Sequence, residues 1–138
     1  MTIESRLHRA HGALTTLTNG RHAWAADVDK VAGSTDSAPS PHDLLDSALA
    51  ACTALTLELY IRRRQLPVTD LRVTVDHVET KGADGRVHYA LTRSVHIDGP
   101  LSDEDRARLR DIANKCPIHR VLEGEIAVAT TLAPPPAA

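Results

Sequence analysis

The longest apolar stretch of the chain follows a clear signal for the start of a helix. Ser40 can cap a helix, Pro41 suits the first helical position, and Asp43 can return the reciprocal bond of a capping box. The pattern predicts a helix from Pro41 to about Arg64 that ends before Pro67. Apolar residues cover almost its whole circumference, which is typical of a buried, central helix. They are Leu44, Leu45, Ala48, Leu49, Ala50, Ala51, Cys52, Ala54, Leu55, Leu57 and Leu59.

Strands are predicted on both sides of this helix. Asn19-Gly20 predicts a tight hairpin turn after a β-compatible stretch at Leu14–Thr18. The run Asp70–Thr80 alternates apolar and polar residues, as a half-buried strand does. A turn at Gly82–Gly85 joins it to a second extended run, Arg86–Ile97. These two runs are expected to form an antiparallel hairpin.

A second helix is expected after the break at Gly99-Pro100. Ser102 can cap it, and acidic residues occupy its first turn, where they stabilise the positive end of the helix dipole. It should run from Asp103 to about Lys115, because Pro117 pushes the preceding residue, Cys116, out of helical geometry.

The end of the chain is expected to hold a helical turn at His119–Leu122, a last strand at Glu125–Leu132 and a disordered tail at 133–138. The resulting order, β-β-α-β-β-α-β, indicates one α+β domain over residues 1–138. Both helices should pack on an antiparallel sheet.

Composition narrows the possible partners. Hydrophobic residues make up 42% of the 138 residues, the formal net charge is -2, and aromatic residues are one Trp and two Tyr. Such a chain lacks the basic and aromatic surface that nucleic-acid binding requires. The sequence also has no apolar run of about 18 residues for a membrane span and no readable secretory signal. We therefore expect a cytoplasmic protein that binds neither nucleic acid nor membrane.

Two cysteines stand 64 positions apart, too few for a secreted disulfide scaffold. Cys52 lies in mid-helix among small residues, where a thiol is often an inert part of the packing. Cys116 ends a helix, with Lys115, His119 and Arg120 nearby in sequence. From the residues alone, the two thiols are either inert or a reactive pair.

The histidines show no metal-ligand spacing beyond the half-motif Cys116-x-x-His119. A zinc site made of Cys52, Cys116, His119 and His42 is a minor alternative. We expect no bound metal. Arg62, Arg63 and Arg64 are interpreted as a solvated helix end.

The two cysteine segments together resemble the OsmC/Ohr family, most closely its OsmC-like branch. The segments Ser40-Pro41-His42-Asp43-Leu44-Leu45 and Ala48-Leu49-Ala50-Ala51-Cys52-Thr53 are similar to the first-cysteine helix. Asn114-Lys115-Cys116-Pro117-Ile118-His119, followed by Gly124-Glu125-Ile126, is similar to the second-cysteine segment. Asn19-Gly20-Arg21-His22 and Gly33-Ser34-Thr35-Asp36 resemble the N-terminal part, so the likeness runs in order from about Arg6 to Leu132.

This resemblance implies an intertwined homodimer with two active sites at the subunit interface and no bound cofactor. It implies a thiol peroxidase acting on organic or fatty-acid hydroperoxides. Cys52 would become a sulfenic acid, Cys116 would close a disulfide with it, and a dithiol such as a lipoyl protein would reopen that bond.

Arg21 is the best match for the family's arginine, which holds the first cysteine as a thiolate. The family's glutamate falls on His42, a departure that puts efficient peroxide turnover in doubt. His42, Asp36 and His119 are expected to line or support the substrate pocket. Two alternatives stay open: an OsmC-like dimer that binds a small apolar molecule without turnover, and thiol chemistry on a carbonyl, such as acyl transfer or hydrolysis.

Overall fold

The structure, a computed structural model, describes residues 1–136. The elements are β1 (Glu4–Leu7), a 3-10 turn (Arg9–His11), β2 (Thr15–Thr18), β3 (Ala23–Ala26), α1 (Pro41–Arg64), β4 (Asp70–Lys81), β5 (Val87–Asp98), α2 (Asp103–Ala113) and α3 (Pro117–Glu123). The strands form two antiparallel sheets, β1-β2-β3 and β4-β5. The predicted α+β class is confirmed. Residues 137 and 138 of the expected tail lie outside the described residues.

Helix α1 has the bounds that the sequence predicts, because both of its ends are specified locally. The Asp43 amide donates to the Ser40 hydroxyl at 3.1 Å, and the Ser40 amide donates to the Asp43 carboxylate at 3.0 Å. This capping box satisfies amides that have no partner inside the helix. Gln65 ends the helix in a left-handed conformation with φ of 51°.

The core lies where α1 meets α2 and the β4–β5 hairpin. The buried residues of α1 are spaced four apart and form one stripe, Leu49, Thr53, Leu57 and Ile61. Leu57 and Ile61 pack with Leu109 and Ala113 of α2. Half-buried residues of both hairpin strands close this cluster, among them Leu71, Val95 and Ile97. Both helices thus pack against the β4–β5 hairpin, as predicted.

The expectation that α1 is buried on nearly all sides is wrong for a single chain. Leu55 is 65% exposed and Leu59 63% exposed, on the side away from the core. One hairpin and two short helices can cover only half of a 24-residue helix. By length and composition α1 could also cross a membrane, but its buried stripe is that of a helix packed in a domain core.

The predicted last strand at Glu125–Leu132 is also absent: residues 125–136 have no regular secondary structure. A strand forms only where a neighbouring strand receives its backbone hydrogen bonds. In this chain the segment is exposed, with Ile126 at 62% and Val128 at 86%. The element order therefore ends in α3, which extends the predicted turn at His119–Leu122 to a full helix.

The predicted hairpins are present. β2 and β3 pair across the Asn19-Gly20 turn, and β1, which the sequence analysis did not predict, adds a third strand. The long strands β4 and β5 pair along twelve residues each, with Val75 opposite Arg93. Gly99 then turns the chain toward α2 with φ of 137°, where a side chain would overlap the Pro67 carbonyl oxygen. This register brings Arg93 beside α1 and α3.

Candidate active site

Cys116 lies at the junction of α2 and α3 and is fully buried. Pro117 occupies the first position of α3, so Cys116 has an extended backbone, with φ of -67° and ψ of 143°. Its sulfur accepts a hydrogen bond from the His119 amide at 3.3 Å and so caps α3. The side chain is therefore fixed in direction and faces α1.

Cys52 lies on α1, beside the buried stripe, and is partly exposed. It lies close enough to Cys116 to lower the pKa of that thiol, so the two thiols are neighbours although 64 positions separate them. Both are free thiols in this structure. The fold thus brings the two predicted cysteines together, one buried and one reachable from solvent.

Arg93 of β5 provides the guanidinium beside these sulfurs. Its Nη1 donates to the Thr53 hydroxyl at 3.0 Å and lies 3.8 Å from the Cys116 sulfur. Its Nη2 donates to the Asn114 side-chain oxygen at 2.8 Å. Acceptors from α1 and from the end of α2 therefore hold the charge next to Cys116.

The hydrogen bonds of His119 fix its tautomer. Arg93 Nη2 lies 3.0 Å from His119 Nδ1, and a guanidinium can only donate. Nδ1 must therefore accept, and the proton of the neutral ring lies on Nε2. That nitrogen is 2.7 Å from the Glu123 carboxylate. Glu123, His119 and Arg93 thus form a continuous chain of hydrogen bonds that ends at Cys116.

The pKa of the Cys116 thiol lies below its ordinary value, although burial, the largest single influence, raises it. Hydrogen bonds from the His119 amide and the Thr53 hydroxyl act in the opposite direction, followed by the hydrogen bond from Cys52 and the charge of Arg93. Thr53 shares its one proton with the Leu49 carbonyl, 2.7 Å away. Cys116 is therefore the sulfur whose surroundings favour a thiolate.

A cavity of about 500 Å³ opens over this network. Its lining includes Arg93, His119 and Asn114 but neither cysteine, and it reaches Cys116 through the contacts of Arg93 and His119 with that sulfur. The remaining lining residues are Leu49, Tyr89, Leu91, Thr92, Leu122 and Glu123. The cavity can therefore hold a small molecule with an apolar body and a polar end beside the guanidinium.

Two of the predicted site residues lie elsewhere in the chain. Arg21 is exposed on the turn between β2 and β3, where its amide donates to the Asn19 side chain at 2.9 Å. Asp36 is exposed in the loop before α1, with φ of 52°, and lines a different hollow. Within one chain, the described contacts of Cys52 and Cys116 include neither residue.

His42 lies at the start of α1 in a polar aromatic cluster. Its ring stacks with those of His77 and Tyr89, at centroid distances of 5.9 and 5.8 Å. It pairs with Glu79 at 3.3 Å. Asp46 accepts from the Tyr89 hydroxyl at 2.8 Å, and burial followed by this bond raises the pKa of Tyr89 to about 12. Across the described residues, no group of three or more metal-ligating side chains is positioned for an ion.

The sequence analysis missed Arg93, Thr53, Asn114 and Glu123 as members of the site. The signal for Arg93 was present: positions 89, 91, 93, 95 and 97 of β5 all face inward, and the others are exposed. A charged residue on the apolar face of an alternating strand needs a buried partner.

Comparison with known proteins assigns the family. A sequence model described as OsmC-like protein matches residues 34–131, well over half of the chain. The chain belongs to the OsmC-like protein family. The predicted resemblance is thereby confirmed, and a comparison with curated proteins finds no significant match.

Solved structures share the fold of this OsmC-like protein. An OsmC-like protein from Mycoplasma pneumoniae is 22% identical, with a TM-score of 0.77 over 89% of this chain and 86% of that one. An organic hydroperoxide resistance protein from Elizabethkingia anophelis is 20% identical, with a TM-score of 0.69 over 90% and 89%. OhrB of Bacillus subtilis, also named for organic hydroperoxide resistance, is 21% identical, with a TM-score of 0.66 over 89% and 90%.

Proposed function

We propose that this OsmC-like protein is a two-cysteine reductase of organic hydroperoxides. The observation that carries the proposal is the contact between the Cys52 and Cys116 thiols beside the Arg93 guanidinium. Two thiols in contact can form a disulfide with little movement of the backbone. The names of two similar structures, both organic hydroperoxide resistance proteins, point to the same substrate class.

In the proposed reaction, the sulfur of Cys52 attacks the peroxide. An S–O bond forms, the O–O bond breaks, and the alcohol leaves with the proton lost from the Cys52 thiol. Cys116 then attacks the Cys52 sulfenic acid, so that an S–S bond forms and water leaves. A dithiol such as a lipoyl protein reduces the disulfide. Cys52 takes the first role because it is partly exposed, whereas Cys116 is buried.

The cavity supports substrates with an apolar body. Leu49, Leu91 and Leu122 can contact an alkyl chain, and the Arg93 guanidinium can polarise the peroxide. A cytoplasmic location fits this function, since thiols stay reduced there.

Arg21 and Asp36 keep a role in this proposal only across a subunit boundary. Arg21 lies on an exposed turn and has no described contact with either cysteine of its own chain, so in this proposal it acts on a cysteine of a second copy. Asp36 would line the pocket of the partner in the same way, whereas His42 stacks on Tyr89, which lines the cavity of its own chain. Peroxidase assays of Arg21→Ala and Arg93→Ala would therefore separate the two arginines.

The direct test is thiol titration with one equivalent of cumene hydroperoxide. We expect the wild type to lose both thiols rapidly, and Cys116→Ser to accumulate a sulfenic acid on Cys52 that dimedone traps. Cys52→Ser should keep its remaining thiol.

Thiols that survive excess peroxide for many minutes would contradict the peroxidase. The non-catalytic binding dimer would then explain the protein better. One observation favours that alternative: His42, which has no carboxylate, stands where the family has the glutamate beside its arginine, and it pairs with Glu79. Binding of cumene alcohol to the wild type, measured by calorimetry, would support that alternative.

A further inference from the structure

Hydrogen bonds to several elements fix the position of the Arg93 guanidinium. It contacts acceptors on three different elements, Thr53 of α1, Asn114 after α2 and His119 of α3. A surface arginine has little to gain from such fixation, because ordering a long side chain costs entropy. The arrangement therefore indicates that the position of this guanidinium matters.

The groups around Cys116 come from every element that packs on it. From α1 come Cys52 and Thr53, from β5 comes Arg93, and from α3 comes His119. The Nδ1 atom of His119 accepts from Arg93, because a guanidinium can only donate. The Glu123 carboxylate lies on the far side of the imidazole ring. Arg93 is thus the cation that faces the sulfur among these contacts.

We infer that Arg93 is a positioning residue that keeps Cys116 as a thiolate directed at Cys52. His119 and Asn114 in turn fix the orientation of Arg93. The inference rests on the proposed function, because Cys116 attacks the Cys52 sulfenic acid that the proposed peroxidase reaction forms.

The step that Arg93 serves is closure of the disulfide. The Cys116 thiolate attacks the sulfur of the Cys52 sulfenic acid that the hydroperoxide has produced. The S–S bond forms, the S–O bond breaks, and the hydroxide that leaves takes a proton from solvent. An ionised sulfur is the attacking species in such exchanges, so Arg93 shortens the lifetime of the sulfenic acid.

Burial explains why the same thiolate does not attack the peroxide itself. Reactivity of a cysteine requires both a thiolate and access, and Cys116 has 0% exposure in this chain. Cys52 has the access. Cys52 is therefore the sulfur that a peroxide can reach first, and Cys116 follows from within the domain.

The test begins without peroxide, so that it is independent of turnover. In a Cys52→Ala background, absorbance at 240 nm against pH reports ionisation of Cys116, with the Cys52→Ala/Cys116→Ala double variant as the blank. An opposite charge at this distance favours the ionised form of a thiol. Arg93→Met should therefore raise the Cys116 midpoint, Arg93→Lys should restore part of the shift, and Asn114→Ala should give a smaller rise.

The second readout is closure of the disulfide in the presence of Cys52. After one equivalent of hydroperoxide at pH 7, Arg93→Met should show roughly tenfold more dimedone-trapped sulfenic acid, and this excess should disappear as the pH is raised. Arg72→Met, an exposed arginine of β4, is the matched control and should behave as the wild type.

Equal midpoints for Arg93→Met and Arg72→Met, in variants with wild-type circular dichroism, would overturn the inference. If Arg93→Met fails to fold, Arg93→Lys and Asn114→Ala carry the same comparison. A raised midpoint in a protein that never reacts with peroxide would leave the role of Arg93 standing and refute the proposed function instead.

Discussion

One carboxylate, Asp27, organises the loop that leads into α1. It is buried and accepts hydrogen bonds from the hydroxyls of Ser34, Thr35 and Ser37 and from the amides of Val28 and Ser37. The bond from Ser34, followed by that from the Ser37 amide, holds the pKa of Asp27 well below its usual range. The ionised form is therefore the one that the folded loop requires.

Asp27→Asn should destabilise the protein in a pH-dependent way. The folded pKa lies below the unfolded value of about 3.9, so the contribution of Asp27 is complete above that pH and is lost as the pH falls through the folded pKa. Urea unfolding should show a clear loss in the variant at pH 7 and a smaller one at pH 3. Asp76→Asn, an exposed site on β4, should change little at either pH. A loss that is the same at both pH values would contradict this account.

At the same scale, the sequence predicted the sulfurs of the candidate site but not the charge beside them. Cys52 and Cys116 could be found because each stands in a motif with distinct local signals, a capped helix and a proline break. Alternation along β5 places Arg93 on the inner face, but its partners come from three elements whose packing is not encoded near position 93. Arg21 was preferred on local likeness alone.

At the scale of elements, α1 has one face buried in the domain and an opposite face that is exposed in a single chain. The buried stripe of Leu49, Thr53, Leu57 and Ile61 joins the helix to the rest of the domain. The opposite side carries Leu55 and Leu59, which remain open in one chain. Substitutions of the same residue type on the two faces should therefore have different effects.

Leu57→Ala should cost about 2–5 kcal/mol of unfolding free energy, because Leu57 is fully buried and its removal leaves a cavity. Leu59→Ala on the same helix, 63% exposed in one chain, should cost less, because only contact with a second copy would cover it. Guanidinium unfolding at micromolar protein concentration would measure both. Similar losses for the two variants would show that the buried stripe is not the main contact of α1.

The elements that the sequence predicted well are those whose ends are specified locally. Ser40 and Ser102 cap their helices as expected, and the Asn19-Gly20 turn closes its hairpin. The last strand was predicted from alternation, which describes the side chains and not the neighbour that must bind the backbone. Where that neighbour is absent from the chain, the pattern cannot form a strand by itself.

At the scale of the whole molecule, two regions expose apolar side chains in a single chain. The exposed leucines of α1 and the unpaired segment 125–132 are both apolar. Large exposed apolar side chains that cluster on a surface are often covered by a partner. The homodimer that the family resemblance implies would cover both.

Sedimentation should therefore give about twice the 14.9 kDa chain mass at micromolar concentration. Leu55→Lys combined with Leu59→Lys should shift the protein to the single-chain mass, because two charges would be buried without partners. Arg86→Glu in the β4–β5 turn is a control for altered charge. A wild type that stays at 14.9 kDa would exclude the homodimer.

The capping of α3 by a sulfur links redox state to local order. The His119 amide now binds the Cys116 sulfur at the first turn of this seven-residue helix. A sulfur joined to Cys52 carries no charge and is a poorer acceptor, so oxidation would weaken the cap and let the first turn of α3 fray. By thermodynamic reciprocity, a ligand that tightens α3 would make the pair harder to oxidise. Amide exchange at His119 would then report the oxidation state of the molecule.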